Sequence, residues 1–139
     1  MAKQTKQNSE DCPCGAQNGS GVGVHYSDCC GKHHQGLAAP TAVALMRSRY
    51  CAFVLGDVAY LLATWHPQTR PASIDIDPNQ RWLGLKLRGT TGGLESDTQG
   101  SVSFVARYKI AGKGYRLEEN SLFEKLENRW FYLQPLDAG

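Results

Sequence analysis

Four of the five cysteines in this 139-residue chain fall as two tight pairs near its start, Cys12-Pro13-Cys14 and Cys29-Cys30, separated by fourteen residues. Thiolates are soft ligands that hold zinc in a closed tetrahedron, and a Cys-x-Cys pair can place two of them on one ion. Adjacent cysteines can do the same if the backbone bends between them. Four protein ligands leave no position for water, so the pattern points to one structural Zn2+ per chain rather than a catalytic ion. The competing readings are a redox dithiol and an unmetallated loop. Cys51 stands apart from the cluster and reads as a small buried hydrophobe.

Other residue types offer less. His25, His33 and His34 read as loop residues facing solvent, although His33 or His34 could replace one member of the adjacent cysteine pair. Asp75 and Asp77 alternate with Ile74 and Ile76 and read as solvent-facing, so no paired carboxylate marks an active site. Gly92-Gly93 lies in a hairpin rather than between a strand and a helix, which excludes a phosphate-binding loop. Whether the chain is an enzyme stays open on these residues.

The elements that must position the cysteines differ along the chain. Residues 1–10 are polar and read as a disordered tail with no apolar signal segment. Residues 11–36 are glycine-rich and carry almost no apolar side chains, so a metal staple is what would let them fold. Residues 37–139 hold all three tryptophans, all four phenylalanines and five of the six tyrosines, enough for a core. Within them Pro40-Thr41 reads as a helix entry with Thr41 as N-cap and Gly56 as the terminating residue. Ala42, Met46, Tyr50 and Phe53 recur between these at helical spacing. Asp57 caps a second helix, Val58 to Trp65, which Pro67 stops.

After Arg70 the apolar period falls from 3.6 to 2. Leu83, Leu85 and Leu87 alternate with polar or small neighbours, as do Val102, Phe104, Ala106, Tyr108 and Ile110. Turns are expected at Gly112-Lys113-Gly114 and Glu127-Asn128. The result is a meander of about four antiparallel strands, with a short leader at Ile74 to Ile76. Helices followed by an antiparallel sheet make an α+β arrangement. Lys86, Arg88, Arg107 and Lys109 would form a solvated basic sheet face if their strands are neighbours.

Charge bounds the partners. The formal net charge is +2, and residues 1–36 balance to zero. A zinc tetrathiolate adds about −2, leaving the holo protein near neutral, so charge does not support nucleic-acid binding. The apolar runs Tyr50 to Leu55 and Val58 to Ala63 are too short to cross a bilayer, and no membrane partner is expected. Clustered cysteines without a signal segment fit the reducing cytoplasm.

Two stretches carry a resemblance. Cys12-Pro13-Cys14-Gly15 with Tyr26, Cys29-Cys30 and Gly31 resembles the SEC-C zinc motif, named for the tail of the SecA translocase. Leu45-Met46-Arg47-Ser48-Arg49-Tyr50 with Gly56-Asp57 and Thr64-Trp65-His66-Pro67 resembles the YchJ-like family of uncharacterised bacterial proteins. Phe123-Glu124-Lys125-Leu126 and Arg129-Trp130-Phe131-Tyr132 fit the end of the same domain. The resemblance implies a SEC-C knuckle over 11–36 followed, over 37–139, by a nuclear-transport-factor-2-like (cystatin-like) cone of helices on a curved antiparallel sheet. It implies Cys12, Cys14, Cys29 and Cys30 as zinc ligands. This chain departs from the motif in one respect, having fourteen residues between the pairs where about eight are usual. The SecA tail contacts a chaperone and ribosomes, so the resemblance also implies a protein-interaction or adaptor module with a protein or ribosome partner. The alternative is a small-molecule-binding or enzymatic domain using the cone pocket, with Arg49, Tyr50, Tyr60, His66 and Trp130 as the pocket candidates.

Overall fold

The protein's structure, a computed structural model, describes residues 11–136. The expected tail at residues 1–10 lies outside the described residues. A 3₁₀ turn at Tyr26–Asp28 leads into α1 (Cys30–His34), then come α2 (Ala42–Leu55) and α3 (Val58–Ala63). The strands β1 (Gln80–Gly92), β2 (Gln99–Ile110), β3 (Lys113–Leu126) and β4 (Arg129–Pro135) follow and form one antiparallel sheet in chain order. This is the α+β arrangement expected from the change in apolar period.

The helix boundaries follow their caps. Thr41 Oγ1 accepts the Ala44 N–H at 3.1 Å, and Gly56 closes α2 in the left-handed conformation, φ 75°. Asp57 Oδ1 accepts the Tyr60 N–H at 3.1 Å and starts α3. That helix ends before the expected Trp65, and Pro67 is not what stops it. Instead the chain leaves the helix to pair with β4: His66 N–H donates to the Tyr132 carbonyl at 2.7 Å, and Tyr132 N–H to Thr64 at 2.9 Å.

The sheet departs from simple alternation in β1. Trp82 pairs with Tyr108 but Gly84 with Arg107, so Leu83 is an extra residue in a bulge; Arg88 is a second one. A bulge shifts the side-chain phase by one. Leu83 is therefore turned out to solvent, 55% exposed, while Trp82 joins Leu85 and Leu87 against the core. The expected leader at Ile74 to Ile76 is not a strand; the stretch before Gln80 runs irregularly into an Asp77-capped turn. Glu127 and Asn128 both have positive φ, 49° and 68°, as a two-residue hairpin turn requires. Lys86, Arg107 and Lys109 share the outer face with Arg81 and Arg116, and Arg116 Nε lies 2.7 Å from a Glu118 oxygen.

The core is continuous from knuckle to sheet. Cys12, Cys14 and Cys30 belong to the same buried cluster as Leu45, Tyr50, Phe104 and Phe123. The β1–β2 connection docks on the start of α2, where Ala42 N–H donates to the Gly93 carbonyl at 2.9 Å. A Cβ on Gly93 would sit 2.7 Å from that of Ala42, so only glycine permits this approach.

Candidate functional site

Helix α2 separates two features, and its periodicity assigns a face to each. Arg47 and Cys51, four apart, face the N-terminal segment; Met46, Arg49, Tyr50 and Phe53 line a cavity above the sheet. Arg47 and Arg49, two apart, therefore serve opposite sides.

On the first side the fourteen residues between the cysteine pairs fold on themselves. Residues Gln17 and Gly23 pair as a miniature hairpin, Asn18 N–H donates to the Val22 carbonyl at 2.7 Å, and the Asn18 side chain accepts from Ser20 and Val22 N–H. The added residues thus return the chain to its starting point. Cys12 N–H donates to the Val24 carbonyl at 2.7 Å, which brings both cysteine pairs alongside each other. Cys29 (φ −125°, ψ −110°) breaks the backbone between the 3₁₀ turn and α1, so Cys30 points inward while Cys29 stays half-buried. Gly31 lets the turn close, because a Cβ there would lie 2.8 Å from the Tyr26 carbonyl oxygen.

The Sγ atoms of Cys12, Cys14, Cys30 and Cys51 all lie within 4.8 Å of one another, and all four residues are buried. Cys12 and Cys51 approach to 3.4 Å. Tetrahedral Zn–thiolate geometry places sulfurs about 3.8 Å apart, so the four thiols fit one ion after small adjustments. Cys29 Sγ lies 3.7 Å from Cys14 and 4.0 Å from Cys30, at the edge of the group. The converged set and the set expected from the motif share Cys12, Cys14 and Cys30 and differ in the fourth. Reading Cys51 as only a small core residue misses its position; its four-residue offset from Arg47, which donates to the Cys14 carbonyl at 2.9 Å, places it over the knuckle. No local sequence signal distinguishes it from a core cysteine.

The thiols polarise one another. Cys14 is held well below the ordinary thiol range by hydrogen bonds from Cys12, then Cys30 and Cys51. Cys30 is pushed up by its bonding to Cys12 and Cys14, with burial adding to it, and burial pushes Cys29 up to about 12. A dication at the centre would let all four central thiols ionise, the state that binds zinc.

The neighbouring histidines are engaged elsewhere. His34 Nε2 donates to the Ser48 carbonyl at 2.8 Å, and its Nδ1 accepts from the Tyr26 hydroxyl at 2.7 Å. His33 Nδ1 donates to the Leu37 carbonyl at 2.9 Å. These are ties between α1 and α2, and neither histidine joins the converged thiols. Both lie on α1 rather than in a solvent-facing loop, and His33 is buried.

On the other side of α2 lies a cavity of about 360 Å³, walled by Tyr50, Phe53, Trp65, Trp82, Phe104 and Tyr132. Such a volume lies within the range of roughly 300–1,000 Å³ usual for small-molecule sites. Arg49 lines it and is only 5% exposed. Its Nη1 donates to the Leu61 carbonyl at 2.8 Å and to Thr64 Oγ1 at 2.7 Å. Its guanidinium carbon lies 4.8 Å from the Tyr132 ring centre and 5.1 Å from that of Trp65. Burial lowers its pKa to about 10, partly offset by the Tyr132 and Tyr60 hydroxyls and Glu119. Burial also raises Tyr50 to about 12.

Of the five pocket candidates, Arg49 and Tyr50 line the cavity and the other three do not. Tyr60 turns to the knuckle side, its hydroxyl 2.7 Å from Ser48 Oγ and its ring against His34. His66 is buried at the corner between α3 and β4: Nε2 lies 2.7 Å from Glu124 Oε1, and Nδ1 accepts the Gln68 N–H. Trp130 donates to the Pro40 carbonyl at 3.1 Å and anchors the entry to α2. Among the cavity residues not anticipated, Trp82 and Glu119 depend on the β1 bulge and on strand register.

A thiol knuckle buried against a helix-on-sheet α+β domain is the architecture of the SEC-C and nuclear-transport-factor-2-like class. Residues 41–135 match the family described as YchJ, middle NTF2-like domain, and the chain belongs to this YchJ-like family. It is 51% identical over 122 residues to a UPF0225 protein of Streptomyces coelicolor, covering 87% of this chain and 90% of that one. A UPF0225 protein of Chromobacterium violaceum is 43% identical over 141 residues, covering 98% and 99%. The solution structure of a SEC-C motif containing protein from Rhodopseudomonas palustris superposes with a TM-score of 0.77 at 30% identity, covering 94% of this chain and all of that one. The crystal structure of a sec-c motif containing protein from Psychrobacter arcticus gives 0.75 at 29%, covering 96% and 86%. No helix among the described residues is long and apolar enough to cross a membrane.

Proposed function

We propose that this chain is a small-molecule-binding protein braced by one structural zinc ion, with the cavity under α2 as the binding site. The observation that carries this reading is the aromatic-walled space with a buried Arg49 at its edge, the only charged residue of the described core that opens onto it. Zinc is the metal whose ligand preference four buried thiols suit, and its closed coordination makes it a brace rather than a reaction centre. Cys51 is the fourth ligand and Cys29 the spare thiol. Five reduced cysteines belong in a reducing compartment, which supports the cytoplasm.

Elemental analysis of the purified protein should give one zinc per chain. Cys51→Ser should abolish that stoichiometry and Cys29→Ser keep it; the reverse pattern would return the fourth position to Cys29. A compound screen should find ligands that raise the melting temperature, with His66→Ala leaving the shift intact.

The adaptor reading has its own support in the open cleft of about 450 Å³ beside α1, where Cys29, Leu37, Pro40 and Arg47 are reachable. A protein or ribosome partner would dock there, on the outside of the knuckle. A Leu37→Asp variant that retains every captured partner in a pull-down would eliminate that contact.

A further inference from the structure

We infer that the cavity ligand is a small aromatic or apolar monocarboxylic acid bearing a hydrogen-bond donor beside its acid group, the chemistry shared by α-amino and α-hydroxy acids. This rests on the small-molecule reading above and names its ligand class.

The acid group is specified by Arg49. No carboxylate lies within 4.0 Å of its guanidinium among the described residues. Its two hydrogen bonds both use Nη1, on the α3 side. Nε and Nη2 make none among the described residues, and the one fully buried side-chain nitrogen without a partner is Trp65 Nε1. The free edge of the guanidinium therefore meets the solvent of the cavity. A buried cation is costly without an anion, and a guanidinium presents paired N–H groups that match a carboxylate.

The donor is specified by Glu119, which lines the same cavity. Its Oε2 accepts from Ser121 Oγ at 2.6 Å and from the Tyr132 hydroxyl at 2.9 Å, which fixes the carboxylate in place. Oε1 accepts from nothing among the described residues, leaving an oriented acceptor for an ammonium or hydroxyl group. Asp75 adds a second negative charge from an exposed position on the lining. One acid group can be matched by Arg49, but a second would face both carboxylates, so diacids are disfavoured. The aromatic wall then takes an apolar body, and about 360 Å³ suits a molecule of amino-acid size.

The test titrates the full zinc-loaded chain with phenylalanine, phenyllactate, hydrocinnamate, phenethylamine and hydrocinnamyl alcohol, following amide and indole resonances. Phenylalanine and phenyllactate should shift the Trp82 indole and the Arg49 amide, and bind roughly 10- to 100-fold tighter than the amine or the alcohol. Arg49→Met, close in length, should remove that preference; Glu119→Gln should lower only the advantage over hydrocinnamate. If the alcohol binds the unaltered chain as tightly as the acids, the ligand class is wrong while the cavity stands as a binding site. Equal binding of hydrocinnamate and phenyllactate would remove Glu119 from recognition. If no probe, the neutral alcohol included, shifts a cavity resonance, the small-molecule reading itself fails. The comparison of acid with alcohol needs no variant, so a poorly folded Arg49→Met cannot obscure it.

Discussion

On the knuckle side of α2 the side chains find their partners within the chain, and the open space is a surface cleft beside α1: His34 uses both ring nitrogens, Arg47 caps the Cys14 carbonyl, and the thiols touch. On the sheet side the same helix leaves a volume open and a guanidinium edge without an acceptor among the described residues. A protein that needed only a core would close this aromatic-walled space and pair the cation, because packing voids and unpaired buried charge both cost stability. The contrast indicates which side is structural and which is kept for a ligand. It also shows why a single helix carries both, since one rigid element fixes the distance between brace and cavity.

Removing the brace should have the largest effect. Cys14 is wholly buried and belongs to the same cluster as Leu45 and Phe123, so its loss reaches beyond the knuckle. Structural zinc in small domains contributes on the order of 10 kcal/mol to folding, and a core shared with the sheet retains part of its stability without it. Cys14→Ser, or chelation of the unaltered chain, should eliminate bound zinc and lower the melting temperature of the whole domain. Amide exchange should rise across 11–36 and also along α2. Increased exchange confined to 11–36 would show that the brace and the cavity are independent, and the comparison would lose its main premise.

How far the sequence reveals these two sides depends on the range of the signals. Caps are local: Thr41, Gly56 and Asp57 declare themselves by residue type, and the helices begin and stop where those residues direct. Turn chemistry at Glu127-Asn128 and the period-2 stretches declare the sheet in the same way. The end of α3 is not local, because it is drawn off by pairing with Tyr132, and neither is the β1 bulge that exchanges Leu83 for Trp82. The cysteine pairs announce a metal by spacing alone, whereas Cys51 enters the cluster only once α2 is laid over the hairpin. Arg49 is visible as a residue of a family-like stretch, but its lack of a carboxylate partner among the described residues is a property of the packed molecule. Chemistry carried by residue type at a local position, or by the spacing of like residues, is legible; chemistry assembled across elements awaits the fold.

A smaller effect serves as a control on the shared helix. Thr41→Ala removes the acceptor for the Ala44 N–H and should cost about 1 kcal/mol. Because α2 supports both sides equally, chemical denaturation should shift without changing the zinc content or the order of ligand affinities. If zinc content falls, the cap is coupled to the knuckle more tightly than to the sheet.

Alkaline titration should produce the smallest effect, and it samples both sides at once. Tyr26 on the knuckle side and Tyr50 on the cavity side are each raised to about 12, in both cases mainly by burial. Their folded-state values exceed the ordinary value near 10, so the folded form holds these protons more tightly than the unfolded chain does. Their contribution is fully present below pH 10 and is lost as pH rises through about 12. Arg49 runs the other way: lowered to about 10 by burial, its charged form opposes folding below that value and ceases to do so as pH climbs towards 12.5. In the unaltered chain the two trends partly cancel above pH 10. In Arg49→Met the opposing term is gone, so stability should fall more steeply over that interval, as read from denaturant midpoints at successive pH values. Identical slopes in the two proteins would mean that Arg49 keeps its charge through this interval, and its burial would then not set the pH response of the cavity side apart from that of the knuckle side.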